Sequence, residues 1–346
     1  MEIKIGDRLV GPGHPAFVIA EAGINHNGDP DTAVRLVHAA KEAGADAVKF
    51  QTFTAESLMV RSAGGAKHLE AAAEDEVFSF VEQVALSEQL HQLLFETCKQ
   101  AGIPFLSTAG NPDGVDLLER LGVSAYKIAS MDLDNLPLLS YAASTGKPMI
   151  LSTGMGTLSE VERAIETVYA AGNQQIVVLH CVALYPAPVE DVNLLAMATI
   201  RDAFDVAVGY SDHTLGNAVA TGAVALGATV IEKHFTLDKS MPGPDQAISG
   251  DPKDFLELIQ GIRLVETALG TRAKRPAPQE LEMRRAFRRS IVAAVDIEEG
   301  TALTTEMLVF KRPGAGISPA NLSWVVGRTA SRAIAADAAL SEGDLI

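Results

Sequence analysis

Eight short apolar runs in the first two-thirds of the chain each end abruptly in polar residues and lead into a helix-like stretch. They are FVIAEAG (17–23), ADAVKFQT (45–52), PFLSTA (104–109), AYKIAS (125–130), PMILSTG (148–154), QIVVLHC (175–181), DVAVGYSD (205–212) and ATVIEKHF (228–235). Eight consecutive strand–helix units are what a closed (β/α)8 barrel, the TIM barrel of the α/β class, requires. In that fold the C-terminal strand ends build the active-site face. Here those ends carry Glu21, Lys49, Gln51, Thr108, Lys127, Ser130, Ser152, His180, Ser211, Asp212, His213, Glu232 and His234. An open, doubly wound sheet is the competing architecture. Eight units in a row without a dinucleotide-binding fingerprint favour closure.

The segments between the runs carry helix-start signals. Asp29-Pro30 reads as a cap and first helical residue, with Gly44 as the stop. Thr157 and Glu160 are spaced as a capping box, and Asp251-Pro252 opens another helical pattern. The rhythm breaks after Gly270. Residues 272–289 are basic and proline-containing and read as a linker, and from Ser290 the pattern changes to short strands with tight turns. The expected organisation is a barrel over 1–271, a linker over 272–289 and a small domain over 290–346. A domain of that size is near the lower limit for standing alone.

Composition bounds the partners. The net charge of −16 argues against nucleic acid, whose phosphates attract basic surfaces. An acidic protein can still bind a small anion where a few lysines converge. Two cysteines, Cys98 and Cys181, imply no disulfide framework, and Cys181 reads as a buried small apolar residue. The segment MEIKIGDRLVG has no apolar signal-peptide core, and the apolar stretch near 218–231 is too short and interrupted to cross a bilayer. A reduced, cytoplasmic protein with no membrane partner is the expectation.

His213 and His234 end adjacent runs. Neighbouring strands lie about 4.8 Å apart, so two imidazoles there can reach one divalent metal. The alternative is two hydrogen-bonded rim histidines. Lys49 and Lys127, with Thr108, Ser130, Ser152 and Ser211, could cradle a phosphate or carboxylate. The anion site is the favoured reading, with a Schiff-base lysine and plain salt bridges to Asp46 or Glu21 as alternatives. Glu21 could act as acid or base, or orient a lysine. Asp245, in a Pro/Gly loop, could bind a polyol or merely make a turn. Tyr185 could close over the mouth or pack.

Assembled in order, these segments resemble the sialic acid synthase family, enzymes that condense phosphoenolpyruvate with an N-acylated hexosamine. The resemblance runs through AEAGINHNG (20–28), VKFQTF (48–53), YKIAS (126–130), ILSTGM (150–155), GYSDHT (209–214), EKHFTLDKSMPGPD (232–245), FRRSIVAA (287–294) and FKRPG (310–314). It implies a barrel followed by a small antifreeze-like (SAF) domain. His213 and His234 would hold a divalent metal, typically manganese, with magnesium or cobalt as alternatives. Lys49, Lys127, Thr108, Ser130, Ser152 and Ser211 would bind phosphoenolpyruvate. Gln51, Tyr185, Asp245 and Glu21 would face the sugar. Arg312 would reach the barrel mouth of a partner subunit, which implies a domain-swapped homodimer. N-acetylmannosamine is the leading acceptor, with 2,4-diacetamido-trideoxyhexoses as alternatives. Other readings are a Schiff-base pyruvate lyase and a sugar-binding homologue without catalysis. Three positions depart from the family's usual pattern. Ala109-Gly110 stand where Pro-Phe commonly follows the threonine, Asp132 where glutamate is common, and Ala183 where a polar residue is common.

Overall fold

In a computed structural model of the protein, residues 2–60 and 74–346 are described. They form two compact units, Met1–Gly270 and Thr271–Ile346.

The first unit opens with a hairpin, β1 (Ile3–Ile5) and β2 (Arg8–Val10), paired antiparallel. Eight parallel strands follow: β3 (Phe17–Gly23), β4 (Ala47–Thr52), β5 (Phe105–Ala109), β6 (Tyr126–Ile128), β7 (Met149–Ser152), β8 (Ile176–Cys181), β9 (Ala207–Asp212) and β10 (Val230–His234). Each pairs with the next, and β10 pairs back onto β3, so the barrel is closed and the open-sheet alternative is excluded. All eight strands lie within the eight apolar runs of the sequence.

The helices begin where short polar side chains supply caps. The Asp29 carboxylate accepts from Thr32 N at 2.9 Å ahead of helix Pro30–Glu42, so one otherwise unpaired N–H of the first turn is satisfied. Glu160 accepts from the Thr157 amide at 2.7 Å to start Leu158–Ala170, and Asp251 accepts from Asp254 N at 2.9 Å to start Pro252–Leu269.

The near-continuous hydrophobicity of the strands hides a period of two. One set of side chains packs outward under the helices: Val18, Ala20, Val48, Phe50, Tyr126, Ile128, Met149, Leu151, Val178, Val208, Tyr210 and Ile231 belong to a single cluster with the helical leucines and alanines. The other set fills the barrel axis. Phe17, Ile19, Ala47, Leu106, Ala125, Ile150, Val177, Leu179, Ala207 and Val230 form that cluster, and Ile3, Ile5 and Val10 of the hairpin join it. The hairpin therefore plugs the N-terminal end of the barrel. Sequence reading did not anticipate it, because two three-residue strands carry too little pattern to register.

Asp46 clamps the same end. It accepts from Arg8, from Val18 N at 2.9 Å and from Arg263 at 3.0 Å. Asp46 is thus taken up structurally and is not a partner of Lys49.

The second unit has its own core of Ile291, Ala293, Ile297, Leu303, Leu308, Ile317, Val325, Ala330, Ile334, Leu340 and Leu345. Strands β11 (Ser290–Ala293) and β12 (Leu308–Lys311) pair antiparallel, and isolated bridges complete the small fold. The stretch expected as a linker contains helix Pro278–Phe287, none of whose side chains is buried. Its Pro at the first turn and the Glu280 carboxylate accepting from the Ala277 amide at 2.6 Å explain where it starts.

Candidate active site

Two residues above each apolar axial position, the period of two brings a side chain inward again, and there the barrel interior changes from hydrocarbon to polar groups. Above Ile19 comes Glu21; above Ala47, Lys49; above Leu106, Thr108; above Ala125, Lys127; above Ile150, Ser152; above Leu179, Cys181; and above Val230, Glu232. On β9 the inward series runs Ala207, Gly209, Ser211. This ring is buried: Glu21, Lys49, Lys127, Ser152, Ser211 and Glu232 are all 6% exposed or less.

Burying charge is costly unless it is paired, and four charges meet here. Lys49 Nζ lies 2.7 Å from Glu21 Oε2 and donates to Thr108 Oγ1 at 2.9 Å. Gln51 Nε2 donates to the other Glu21 oxygen at 3.0 Å. Glu232 stands 3.6 Å from Lys127 and 3.9 Å from Lys49, and accepts from Ser211 Oγ at 3.2 Å. Burial pushes the Glu232 carboxyl up, but the Lys127 and Lys49 ammoniums and the two nearby histidines prevail and hold it below the usual carboxylate range. Burial lowers the proton affinity of Lys127 below that of a free lysine, with Glu232 opposing. Lys127 also donates to Ile128 O at 3.0 Å. Glu232 stood at the rim in the sequence but received no role there. Its position opposite both lysines is a product of closure, visible only once β10 and β3 pair.

Above the ring sit the histidines. The His213 and His234 rings are 5.4 Å apart, and Tyr185 lies 4.1 Å from His213 and 5.6 Å from His234, centroid to centroid. His213 Nδ1 donates to Val182 O at 2.8 Å, which fixes the tautomer and leaves Nε2 as the acceptor. Burial, then the neighbouring His234, holds the His213 pKa down to about 3, so the ring is neutral and able to ligate. Asp245 Oδ2 approaches His234 Nδ1 to 3.5 Å. Ser130 Oγ accepts from Gly154 N at 2.9 Å. Cys181 faces the same space, and burial raises its thiol pKa, so it is a neutral wall rather than a nucleophile.

The loop at Gly154 passes very close to this wall. A Cβ there would lie 2.8 Å from Ser130 Oγ, 3.0 Å from Ala183 Cβ and 3.2 Å from Cys181 Sγ. Glycine is what lets the β7 loop join the site.

The donor set suits a divalent ion. Ser152 Oγ, Glu232 Oε2 and His234 Nδ1 are buried without hydrogen-bond partners, so the space is built for groups beyond the chain's own. Two imidazoles are borderline donors of the kind that bind first-row divalent ions. Among the described residues no cluster of three or more His, Cys, Asp or Glu could hold a metal, so an ion here would rest on two side chains and be readily exchanged. Every expected site residue of the barrel is thus drawn to one end of the axis. Arg312 belongs to the second unit, where its guanidinium lies 5.1 Å over the Phe287 ring.

A profile described as the NeuB family matches residues 36–274, well over half of the chain. The chain belongs to the NeuB family. A SAF domain matches residues 288–346, so the chain is an eight-stranded parallel barrel followed by a C-terminal SAF domain. N,N'-diacetyllegionaminic acid synthase of Legionella pneumophila is 46% identical over 330 residues, covering 94% of this chain and 93% of that protein. Human N-acetylneuraminate-9-phosphate synthase is 36% identical over 324 residues, covering 93% and 90%. Among solved structures, the N-acetylneuraminic acid (sialic acid) synthetase of Leptospira borgpetersenii superposes with a TM-score of 0.75 at 34% identity, covering 82% of this chain and 95% of that one. These relatives are synthases, and the present NeuB-family chain is an enzyme of the same transferase class. Among its described residues no helix is long and apolar enough to cross a membrane.

Proposed function

We propose that this enzyme condenses phosphoenolpyruvate with an open-chain N-acyl hexosamine to give a nine-carbon sialic acid and phosphate. The observation that carries the reading is the axial ring: two buried lysines among hydroxyls, directly beneath the His213 and His234 pair. Phosphoenolpyruvate needs compact cationic donors in a dry site, and Lys49 and Lys127 supply them, with Thr108, Ser130, Ser152 and Ser211 as hydroxyl partners. Glu21 pairs with Lys49, and Glu232 faces both lysines, so the two side chains are held in place until the anion enters. Gln51, Tyr185 and Asp245 lie toward the mouth, where the sugar would sit.

A divalent ion held by His213 and His234, with manganese as the proposed occupant, would supply Lewis acidity toward the aldehyde oxygen. Carbon three of phosphoenolpyruvate attacks the aldehyde carbon, forming the new carbon–carbon bond. Water adds at carbon two, and the tetrahedral product collapses to the ketone by breaking the C–O bond to phosphate; one of the water's protons leaves with the phosphate and the other neutralises the alkoxide formed from the aldehyde oxygen. Glu21, held by Lys49 and Gln51, takes the proton from that water. Holding two reactants in register can lower a barrier by up to about 7–11 kcal/mol.

Among acceptors, identity weights 2,4-diacetamido-2,4,6-trideoxymannose ahead of N-acetylmannosamine. The relative named for N,N'-diacetyllegionaminic acid is 46% identical and the one named for N-acetylneuraminate-9-phosphate 36%. Asp132 and Ala183 stand near the substrate space and depart from the family's usual residues, which supports an acceptor other than N-acetylmannosamine. The proposed assembly is a domain-swapped homodimer in which Arg312 contacts the acyl group in the partner's barrel.

The test is phosphate release from phosphoenolpyruvate with N-acetylmannosamine, 2,4-diacetamido-2,4,6-trideoxymannose and the corresponding altrose, each with manganese and with chelator. Release that requires both sugar and metal is expected, fastest with the diacetamido mannose. Folded, metal-supplied protein that releases no phosphate with any of the three would overturn the reading.

A further inference from the structure

The strands that carry the two histidines carry a second pair of buried charges, and these face the other way. On β9 the axial series Ala207, Gly209, Ser211 turns Asp212 outward. On β10 the series Val230, Glu232, His234 turns Lys233 outward. The ladder sets Lys233 directly opposite Asp212. Both side chains are buried, at 3% and 0% exposure.

Their bonds are directional and close on one another. Lys233 Nζ donates to Asp212 Oδ2 at 2.7 Å and to Thr214 O at 2.7 Å. Asp212 Oδ1 accepts from Thr214 N at 2.9 Å and from Thr214 Oγ1 at 2.8 Å. The β9–β10 ladder ends at Lys233–Asp212, so His213 is the first residue beyond it. The residues before and after His213 are therefore tied to Lys233, whose chain neighbour is His234. Ser211 and Glu232 also join the two strands one register step below, but on the axial side and not on either side of His213. A buried ion pair adds little stability over apolar side chains of equal volume, so four convergent bonds at this point call for a geometric explanation.

We propose that Asp212, Lys233 and Thr214 are positioning residues that set the separation and orientation of the His213 and His234 rings, and through them the affinity and coordination geometry of the divalent-ion site. The inference rests on the reading of the histidine pair as a metal site. Residues hydrogen-bonded behind metal ligands typically alter affinity 10–100-fold when changed, and here the control would act through the backbone of both ligands at once.

The test uses the full chain, stripped by chelator and titrated with Co2+, whose visible absorption reports ligand geometry. Native protein, His213→Ala, His234→Ala, the double variant Asp212→Asn/Lys233→Met and Thr214→Val are compared, with circular dichroism and thermal unfolding to establish folding. The double variant removes both charges together, so neither is left buried and unpaired. The expected result is Co2+ binding weakened about 10–100-fold with a shifted spectrum in the double variant, and a smaller change of the same kind in Thr214→Val. Native affinity and spectrum in the folded double variant would overturn the positioning role. Should that variant not fold, native behaviour of Thr214→Val would overturn it instead. A native protein without any histidine-dependent Co2+ signal would overturn the metal reading, a different failure from the first.

Discussion

On the proposed mechanism, Glu21 is the residue on which the chemistry turns. Its two oxygens are engaged by Lys49 and Gln51, which hold the carboxylate at a fixed angle on the axial ring. Glu21→Gln keeps the size and one acceptor oxygen but removes the charge that takes a proton. If Glu21 only oriented Lys49, the loss would fall on phosphoenolpyruvate binding, because a misplaced ammonium weakens the anion site. If it moves the proton, turnover falls about 100- to 10,000-fold while the KM for phosphoenolpyruvate stays within about threefold. Steady-state phosphate release at saturating sugar separates the two cases, and near-native kcat with raised KM would assign Glu21 to orientation. Glu232 offers the contrast. It faces both lysines and accepts from Ser211, which on the proposed mechanism suits it to charge balance.

At the scale of the element, the barrel's polar ring depends on how closely β8, β9 and β10 approach. Gly209 is the inward position of β9 just below Ser211. A Cβ there would lie 2.4 Å from Val230 O, 2.6 Å from Leu179 Cδ2 and 2.9 Å from Val230 Cβ. Leu179 could rotate away, but the Val230 carbonyl is ladder backbone and cannot. Gly209→Ala is therefore expected to destabilise the protein by about 1–3 kcal/mol or more. It should also weaken substrate binding, because Ser211 and His213 ride on the displaced strand. Denaturant unfolding with a matched Gly172→Ala control checks this, since nothing lies within 4 Å of a Cβ at Gly172 although its φ of +87° is itself strained. Equal losses in the two variants would show that crowding at Gly209 carries no special cost.

The same strands show what was legible in the sequence. The eight runs were visible because each ends in polar groups after continuous hydrophobicity. Which residues face the axis was not, because both faces of a barrel strand are apolar: Val208 and Ala207 look alike, yet one packs under helices and the other in the axial cluster. The lone outward charges are hidden for the same reason. Asp212 and Lys233 sit beside His213 and His234 in the sequence, and only the register separates the pair that braces from the pair that faces the ligand space. The β1–β2 hairpin left only Ile3, Ile5 and Val10 as a trace, too few for a period to emerge.

For the whole molecule, the sharpest question is where Arg312 acts. The second unit owns a complete small core, so Arg312 can be replaced without touching the fold that presents it. On the proposed exchange of domains, each active site combines the histidines of one chain with the Arg312 of the other. An Arg312→Ala chain and a His234→Ala chain are each defective in every homodimeric site. In a mixed dimer, one site joins an intact His234 to an intact Arg312, and the other collects both defects. Random assortment of equal amounts makes half the dimers mixed, each with one of two sites restored, so activity should recover to about one-quarter of the native value. If Arg312 acts within its own chain, mixed dimers contain no intact site, and activity stays at the average of the two parents. Tagging the two chains differently and purifying on both tags sequentially isolates the mixed species. Recovery to about half the native rate there would place Arg312 in trans, and persistence of the parental rates in that purified species would place it in cis.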